Sequence, residues 1–355
     1  MLLQNLSNKF RLTLAAVAAG LTFTGCSSFV YDDLPECPAQ LNVKFQFNYT
    51  LDRGEAFAAQ VHSVNVWAFD QAGNFVWSGS AAGESLASPD FQLETTLGEG
   101  VYDFVAWCGL DGNDDFSLAT YTPASMQELE MKLVTLEENN LNISSSHFKS
   151  LFHGMKSGVK HTINHYAPSI TTVTIPLIKD TNDIAVMLMN TDGTVLNTED
   201  FSVSFTYADS WLAWDNAVMT QSPTVTYTPW SQLYGESTSD SRAETDDVND
   251  NDVSAPVRST LLYELSVSRL MTGGNAYLDI VRNTDGERII HVPLIDFFIL
   301  EKGNRYDMYG DQEYLDRRSD YSALFFIDND MGWYMAGGIY INGWAIVPPQ
   351  SDPIY

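Results

Sequence analysis

Residues 41–47 read Leu-Asn-Val-Lys-Phe-Gln-Phe, a strict alternation of apolar and polar side chains. Successive side chains of a β-strand point to opposite faces, so this stretch predicts a strand with one buried face. Residues 101–108 read Val-Tyr-Asp-Phe-Val-Ala-Trp-Cys, the most apolar of the strand-like stretches. We expect this second stretch to be a central strand of a sheet.

Further β-strands are expected throughout the chain. The turn formers of residues 70–74, Asp-Gln-Ala-Gly-Asn, predict a hairpin between two of them. The remaining predicted strands are 64–69, 75–77, 91–93, 170–175, 184–188, 201–207, 261–267, 276–281, 288–292, 323–327 and 339–347.

One amphipathic helix is expected over residues 122–134. Thr122 suits the N-cap of a helix and Pro123 suits its first turn. The apolar face of this helix would be formed by Met126, Leu129, Leu133 and Val134.

This pattern predicts an all-β fold of two β-sandwich domains with a short helix in the first. We expect a lipoprotein signal peptide at residues 1–25 and a tether at 26–37. The N-terminal sandwich is expected at residues 38–178 and the C-terminal sandwich at 179–355. Residues 235–255 are rich in Ser, Thr, Asp and Asn, so we expect a solvated acidic loop there.

The first residues carry a secretory signal of the lipoprotein kind. Lys9 and Arg11 lead into an apolar run that ends at Thr24-Gly25-Cys26. A positive segment, an apolar core and a small residue before a cysteine predict lipid attachment at Cys26. Ser27 is not an acidic retention residue, so we expect a lipid-anchored protein of the outer membrane. The acidic pair Asp32-Asp33 resembles a surface-export tether, so we expect the protein to be surface-exposed. An ordinary signal peptide that happens to precede a cysteine is the alternative.

The acidic composition restricts the partners. A formal net charge of −28 repels phosphate backbones and anionic lipid heads. We therefore expect no nucleic-acid partner, and attachment to the membrane only through acyl chains on Cys26. The two other cysteines, Cys37 and Cys108, form a disulfide in an oxidising compartment or remain two buried thiols.

The sequence shows no glycine-rich phosphate loop and no nucleophile elbow, so we expect no enzyme and no cofactor. His161 and His165 have a spacing that binds zinc on a helix, but no glutamate stands beside them. We expect no metal site there and interpret the histidines at 147, 153, 161 and 165 as exposed loop residues. The acidic stretches 111–115 and 246–252 lack the glycine and glutamate of an EF-hand.

The tryptophans divide into two groups. Those within predicted strands are expected in the core: Trp67, Trp77, Trp107 and Trp344. Those in loop-like sequence are candidate platforms for sugar rings: Trp211, Trp214 and Trp230.

Several stretches in order along the chain resemble the FimB-type family of fimbrial anchor lipoproteins from Bacteroidia-type fimbriae. Besides the signal ending at Cys26, they are residues 33–38, 45–49, 61–70, 104–110, 151–154, 314–317 and 339–344. The resemblance implies two transthyretin-like β-sandwich domains, without cofactor or catalysis. It also implies that the protein attaches a fimbrial shaft to the outer membrane and limits its length.

Shaft subunits of that family assemble by strand exchange, so fimbrial shaft subunits are the expected partners. A neighbour's strand would pair with a sheet edge near one end of the molecule. We expect residues 339–347 to form the terminal strand at such an edge. The alternative function is a surface adhesin or fimbrial tip lipoprotein that binds glycan or host protein.

Overall fold

The computed structural model describes residues 39–51, 54–164, 167–238 and 257–346. The predicted features that lie outside these ranges are Cys26, Cys37, His165, Val347 and the acidic loop beyond residue 238. Contacts divide the chain into a large unit, Gln40–Thr162 with Ile170–Tyr355, and a small one, Met1–Ala39 with Ile163–Ser169. The sites discussed below lie in the large unit.

Strands dominate the first half of the described chain. They are β1 (Ala39–Gln46), β2 (Ser63–Phe69), β3 (Phe75–Ala82), β4 (Leu93–Glu94), β5 (Gly100–Cys108), β6 (Phe116–Leu118), β7 (Met131–Leu133), β8 (Leu136–Glu138), β9 (Leu141–Ser144), β10 (Phe152–His161) and β11 (Ser169–Lys179). The helical elements between them are short: α1 (Phe57–Gln60) and 3-10 turns at Glu84–Ala87 and Met126–Glu128.

The second half has the same character. Its strands are β12 (Asn182–Asn190), β13 (Phe201–Tyr207), β14 (Trp211–Leu212), β15 (Val225–Tyr227), β16 (Ser231–Thr238), β17 (Val257–Val267), β18 (Tyr277–Arg282), β19 (Glu287–Val292), β20 (Asp320–Ile327), β21 (Ile339–Ile341) and β22 (Trp344–Ile346). Its helices are α2 (Leu294–Lys302) and α3 (Asp311–Asp316), with 3-10 turns at Thr198–Asp200, Asn304–Tyr306 and Met335–Gly337. The predicted all-β fold is confirmed.

A seven-stranded sheet in the order β3-β2-β5-β10-β11-β1-β4 is built entirely from the first half. Its smaller hydrophobic core receives the apolar side chains of β1, as the alternation predicts. Strand β5 is buried on both faces: Phe104 and Cys108 face this core, while Val105 and Trp107 face a second, larger core. The expectation of a central strand at residues 101–108 is confirmed.

The larger core lies under two six-stranded sheets, ordered β16-β17-β12-β20-β21-β22 and β19-β18-β13-β15-β9-β8. A small sheet, β14-β7-β6, also joins strands from both halves of the sequence. Strands β6 to β9 of the first half thus contribute to sheets shared with the second half. The predicted limits of the two domains stay a prediction.

The prediction of a helix over residues 122–134 is wrong. Only a short 3-10 turn, Met126–Glu128, forms there, and strand β7 follows. Leu129, Met131 and Leu133 are buried, whereas Lys132 is half-buried, which is the period of a strand. The short helix of the first half is instead α1.

Gly109 joins β5 to the following turn at a point where no side chain fits. Its φ of +88° lies in the left-handed region, and its N–H donates to the carbonyl of Ser63 at 2.9 Å. A Cβ atom added to Gly109 would lie 2.1 Å from the carbonyl oxygen of Ser150. The chain ahead of β10 therefore passes directly against this glycine.

Candidate functional site

The predicted lipid and disulfide residues are described only in part. Cys26 and Cys37 lie outside the described ranges. Cys108 is fully buried at the end of β5, and burial raises the pKa of its thiol above the usual value. Lipid attachment at Cys26 and the Cys37–Cys108 disulfide stay predictions.

The candidate site for a partner strand is a free sheet edge, because a terminal strand has unpaired N–H and C=O groups. Among the described strands, β3, β4, β8, β16, β19 and β22 end the three larger sheets. Strand β4 has only two residues, and β8, β16 and β19 each carry charged side chains. The uncharged terminal strands of these sheets are β3 and β22.

Strand β22 belongs to a hairpin rather than to the single strand predicted at residues 339–347. Asn342 and Gly343 form the turn, both with positive φ (50° and 82°), as a two-residue hairpin loop requires. Ile341 and Trp344 flank the turn as a pair, and strand parity then directs the N–H and C=O of Ala345 away from β21. Ala345 therefore offers its main chain at the free edge.

Trp344 was expected in the core, and this prediction is wrong: its side chain is 61 % exposed. The neighbouring Ile346 is buried, and Ala345 is exposed. The end of the six-stranded sheet thus offers a large aromatic side chain beside a main chain that no described residue bonds on its outer side. An extended partner strand would find both features there.

A buried ion cluster holds the hairpin in place. The N–H of Ser322 donates to the side-chain oxygen of Asn342 at 2.7 Å, and the Asn342 amide reaches the Glu301 carboxylate at 3.4 Å. Arg318 pairs with Glu301 at 3.1 Å, and the hydroxyl of Tyr314 also donates to that carboxylate. Only 5 % of the Glu301 side chain is exposed. This network fixes the turn relative to β20 and α2.

A second buried cluster lies at the connection between β11 and β12. Arg269 binds Asp316 at 2.9 Å and lies 3.8 Å from Asp180, which is fully buried. Asn216 donates to Asp180 at 2.8 Å. Burial raises the pKa of Asp180 to about 7, although Arg269 opposes the shift. The cluster ties the connection to α3 and to the loop after β17.

The tryptophans proposed as sugar platforms are partly covered. The ammonium of Lys132 lies 4.3 Å from the ring centroid of Trp211. The ring of Trp230 stacks on His147 at 4.1 Å. Trp214 is half-buried, and its carbonyl contacts His153 at 2.9 Å. None of the three has the exposure of Trp344, so the described surface does not favour them as platforms.

Two of the histidines expected in exposed loops are buried. His153 and His161 lie in β10, where His161 contacts the hydroxyl of Thr171 at 3.0 Å. Burial lowers the pKa of His153 to about 4. His147 is exposed, as expected. Within the described ranges no three His, Cys, Asp or Glu side chains group as metal ligands.

Comparison of the sequence with known protein families identifies a family for this chain. Residues 34–348 match the family described as fimbrillin-A associated anchor proteins Mfa1 and Mfa2. The chain belongs to this family. The predicted resemblance to fimbrial anchor proteins is confirmed, and the protein is a fimbria-associated protein of the cell surface. No curated protein shows significant similarity to the sequence.

Solved structures share the fold. A candidate adhesin from Bacteroides thetaiotaomicron is 26 % identical, with a TM-score of 0.73 over 88 % of this chain and 99 % of that one. A second protein of that species, described as a candidate polysaccharide-binding protein, is 23 % identical, with a TM-score of 0.68 over 90 % of this chain and 100 % of that one. The fimbrial anchor protein Mfa2 from Porphyromonas gingivalis is 17 % identical, with a TM-score of 0.61 over 87 % and 99 %.

No helix in the described ranges combines the length and the apolar character needed to cross a bilayer.

Proposed function

We propose that the protein is a lipid-anchored structural protein of the outer membrane that attaches a fimbrial shaft to the cell surface and limits its length. Acyl chains on Cys26 supply the attachment to the membrane. A fimbrial subunit pairs with a free sheet edge, and the role is structural rather than catalytic. Membership in the anchor-protein family supports this assignment.

The observation that carries the proposal is the edge at β22. Its main chain at Ala345 is directed away from β21, and Trp344 stands exposed beside it. The ion cluster around Glu301 holds the hairpin rigid, so a partner strand meets a preformed edge and little conformational entropy is lost on binding. A donor strand would gain main-chain hydrogen bonds at Ala345 and apolar contact at Trp344.

The decisive experiment removes one N–H group at this edge. Ala345→Pro deletes a donor that the sheet itself does not use, so the fold should tolerate it. We expect cells with this variant to release fimbriae into the medium, as cells lacking the gene would. Ala345→Ser keeps the N–H group and should retain fimbriae at the surface. Retention by Ala345→Pro at normal protein levels would refute pairing at β22.

The membrane half of the proposal has a separate test. Palmitate labelling of the protein should disappear in Cys26→Ala, while the folded chain is still secreted. Electron microscopy of that strain should show detached or longer fimbriae. Labelling that persists in the variant would refute lipid attachment at Cys26 without affecting the conclusion about β22.

A further inference from the structure

Strand β3 is a free edge of an unusual kind. Its eight residues, Phe-Val-Trp-Ser-Gly-Ser-Ala-Ala, carry no charge and no proline. Strand β16 is equally long but contains Glu236, and β19 contains Glu287 and Arg288. Proteins protect long free edges with charges, prolines, bulges or covering segments, since an unprotected edge pairs with other chains. The bulge in the β2–β3 ladder lies only at its Phe69 end.

The orientation of the main chain shows which groups of β3 are free. The N–H of Gly83 donates to the carbonyl of His62 at 3.0 Å, so odd-numbered positions before it face β2. The N–H and C=O groups of Ser78, Ser80 and Ala82 therefore point away from the sheet. Their side chains are exposed, and no described residue bonds their main chain on that side.

One segment bonds the start of β3, while β4 and the turn at Glu84–Ala87 lie close to the strand without pairing with it. The N–H of Phe75 donates to the carbonyl of Ala124 at 3.2 Å, and a bridge joins Asn74 to Ser125. Beyond this point no described residue hydrogen-bonds the main chain on the outer side of β3. The open part is long enough for a second strand of several residues.

We propose that β3 pairs antiparallel with β3 of a second copy of this chain, about a twofold axis at Gly79. In this register Ser78 of one copy lies opposite Ser80 of the other, and both have free main-chain groups, so each pair exchanges two hydrogen bonds. Gly79 lies opposite its own symmetry mate in a position where Cα atoms approach closely. The large Trp77 lies opposite the small Ala81.

The local side chains fit this arrangement. A Cβ atom on Gly79 would lie 2.6 Å from the ring of Trp77, so the ring already covers the glycine along the strand. Serine pairs opposite each other form cross-strand hydrogen bonds. The edge is thus complementary to itself, which a twofold interface requires.

The distribution of charge favours this edge over the charged edges for a contact between copies. Two chains of net charge −28 repel each other, so a contact between copies is least unfavourable where charges are absent. Neither β3 nor the adjacent β2, Ser63–Phe69, contains a charged residue. The remaining repulsion comes from charges beside the strand, such as Glu84, and from more distant ones, and salt screens it with a Debye length of about 8 Å at physiological salt. The dimer should therefore strengthen as salt is added.

Sedimentation equilibrium of the full chain in density-matched detergent tests the proposal. We expect a monomer–dimer equilibrium whose dissociation constant falls between 50 and 500 mM NaCl, approximate concentrations that span the screening range. Ser78→Lys/Ser80→Lys places like charges opposite each other and should weaken the dimer on the order of tenfold or more. Ser78→Thr/Ser80→Thr should preserve it. Gln232→Lys, which adds one lysine at an exposed residue of β16, should leave the dimer unchanged.

Two results would overturn the proposal. One is a chain that stays monomeric at every concentration and salt level. The other is a dimer that the double lysine variant leaves intact, which would place the contact elsewhere. Circular dichroism and thermal unfolding of each variant establish that a lost dimer is not a lost fold. The fimbrial retention measured with Ala345→Pro and Ala345→Ser tests β22 and does not depend on the sedimentation results for β3. The proposed dimer and the proposed fimbrial attachment can therefore be refuted separately.

Discussion

The two halves of the described chain differ in the charged side chains that they bury. No Asp, Glu, Lys or Arg before residue 180 is buried in the described chain, and the smaller core is apolar throughout. Beyond that point Asp180, Asp209 and Arg269 are buried, and Glu301 is nearly so. Burying a charge costs free energy unless partners surround it. The second half therefore depends on specific ion pairs, whereas the described first half buries polar side chains, such as His153 and His161, but no carboxylate, ammonium or guanidinium group.

This difference coincides with the two uncharged edges. The turn before strand β22 is hydrogen-bonded to the Glu301 cluster, which fixes the short hairpin in one orientation. Strand β3 is backed by the smaller core, against which Trp77 is partly buried. We infer that polar networks specify the position of a short element, while an apolar core supports a longer edge. The following substitutions test that contrast.

Removal of Arg269 should have the largest effect. Arg269→Met keeps the volume but leaves Asp180 and Asp316 without their cation, which should cost about 3–5 kcal/mol of unfolding free energy. Arg288→Met is the matched control, since the Arg288 side chain is 54 % exposed and its pair with Asp279 is worth at most about 1 kcal/mol. Urea denaturation measures both. Equal effects would remove the distinction between buried and exposed ion pairs on which the account of the second half rests.

The buried carboxylate of Asp209 should make stability depend on pH. Its pKa is raised to about 7, chiefly by burial, while the hydroxyl of Tyr227 donates to it at 2.5 Å. A raised pKa gives stability that is present below the unfolded value near 3.8 and is lost as pH rises through about 7.

Asp209→Asn keeps an acceptor for Tyr227 and removes the charge. The variant should match the parent near pH 4 and exceed its stability by about 2–4 kcal/mol at pH 8. Subtracting parent from variant cancels other titrating groups, including His153. A difference that does not change with pH would contradict the assignment.

Packing against β3 should be sensitive to a single methyl group. In Gly79→Ala the new Cβ would meet the ring of Trp77, and the resulting displacement should cost about 1–3 kcal/mol. Gly235→Ala on β16 is the matched control, because its nearest neighbour lies at 3.9 Å. Thermal unfolding of both at low protein concentration compares them. A loss in Gly235→Ala equal to that in Gly79→Ala would attribute the effect to the backbone rather than to the ring.

The smallest effect is expected at Trp344. Its side chain is largely exposed, so Trp344→Ser should change the unfolding free energy by no more than about 0.5 kcal/mol. The same variant should weaken fimbrial attachment if the ring contacts a partner. A stability loss above about 1 kcal/mol would show that the ring is held by the fold instead.

The sequence was sufficient to predict an element where its apolar residues followed a single period. The alternation of residues 41–47 and the turn at 70–74 predicted β1 and the β2–β3 hairpin correctly. At residues 122–134 two periods competed: Met126, Leu129 and Leu133 suit a helix, but Leu129, Met131 and Leu133 suit a strand. The structure forms the strand because β7 pairs with β6 and β14. Strand β14 is distant in sequence, so this pairing has no local signal.

The candidate site was less accessible from the sequence. Asn342-Gly343 is a strong signal for a two-residue hairpin, and this turn divides residues 339–346 into β21 and β22. The clusters around Glu301 and Asp180 had no local signal, because their members come from separate elements. The uncharged composition of β3 was visible in the sequence, but its terminal place in the sheet was not.

The surroundings of Gly109 restrict which residues this position can accept. The neighbouring carbonyl of Ser150 occupies the space of any side chain, and the left-handed backbone disfavours every other residue. A saturation library selected for surface display should therefore recover glycine alone at position 109. Gly73, which also has a positive φ but open space around it, should accept asparagine in the same library.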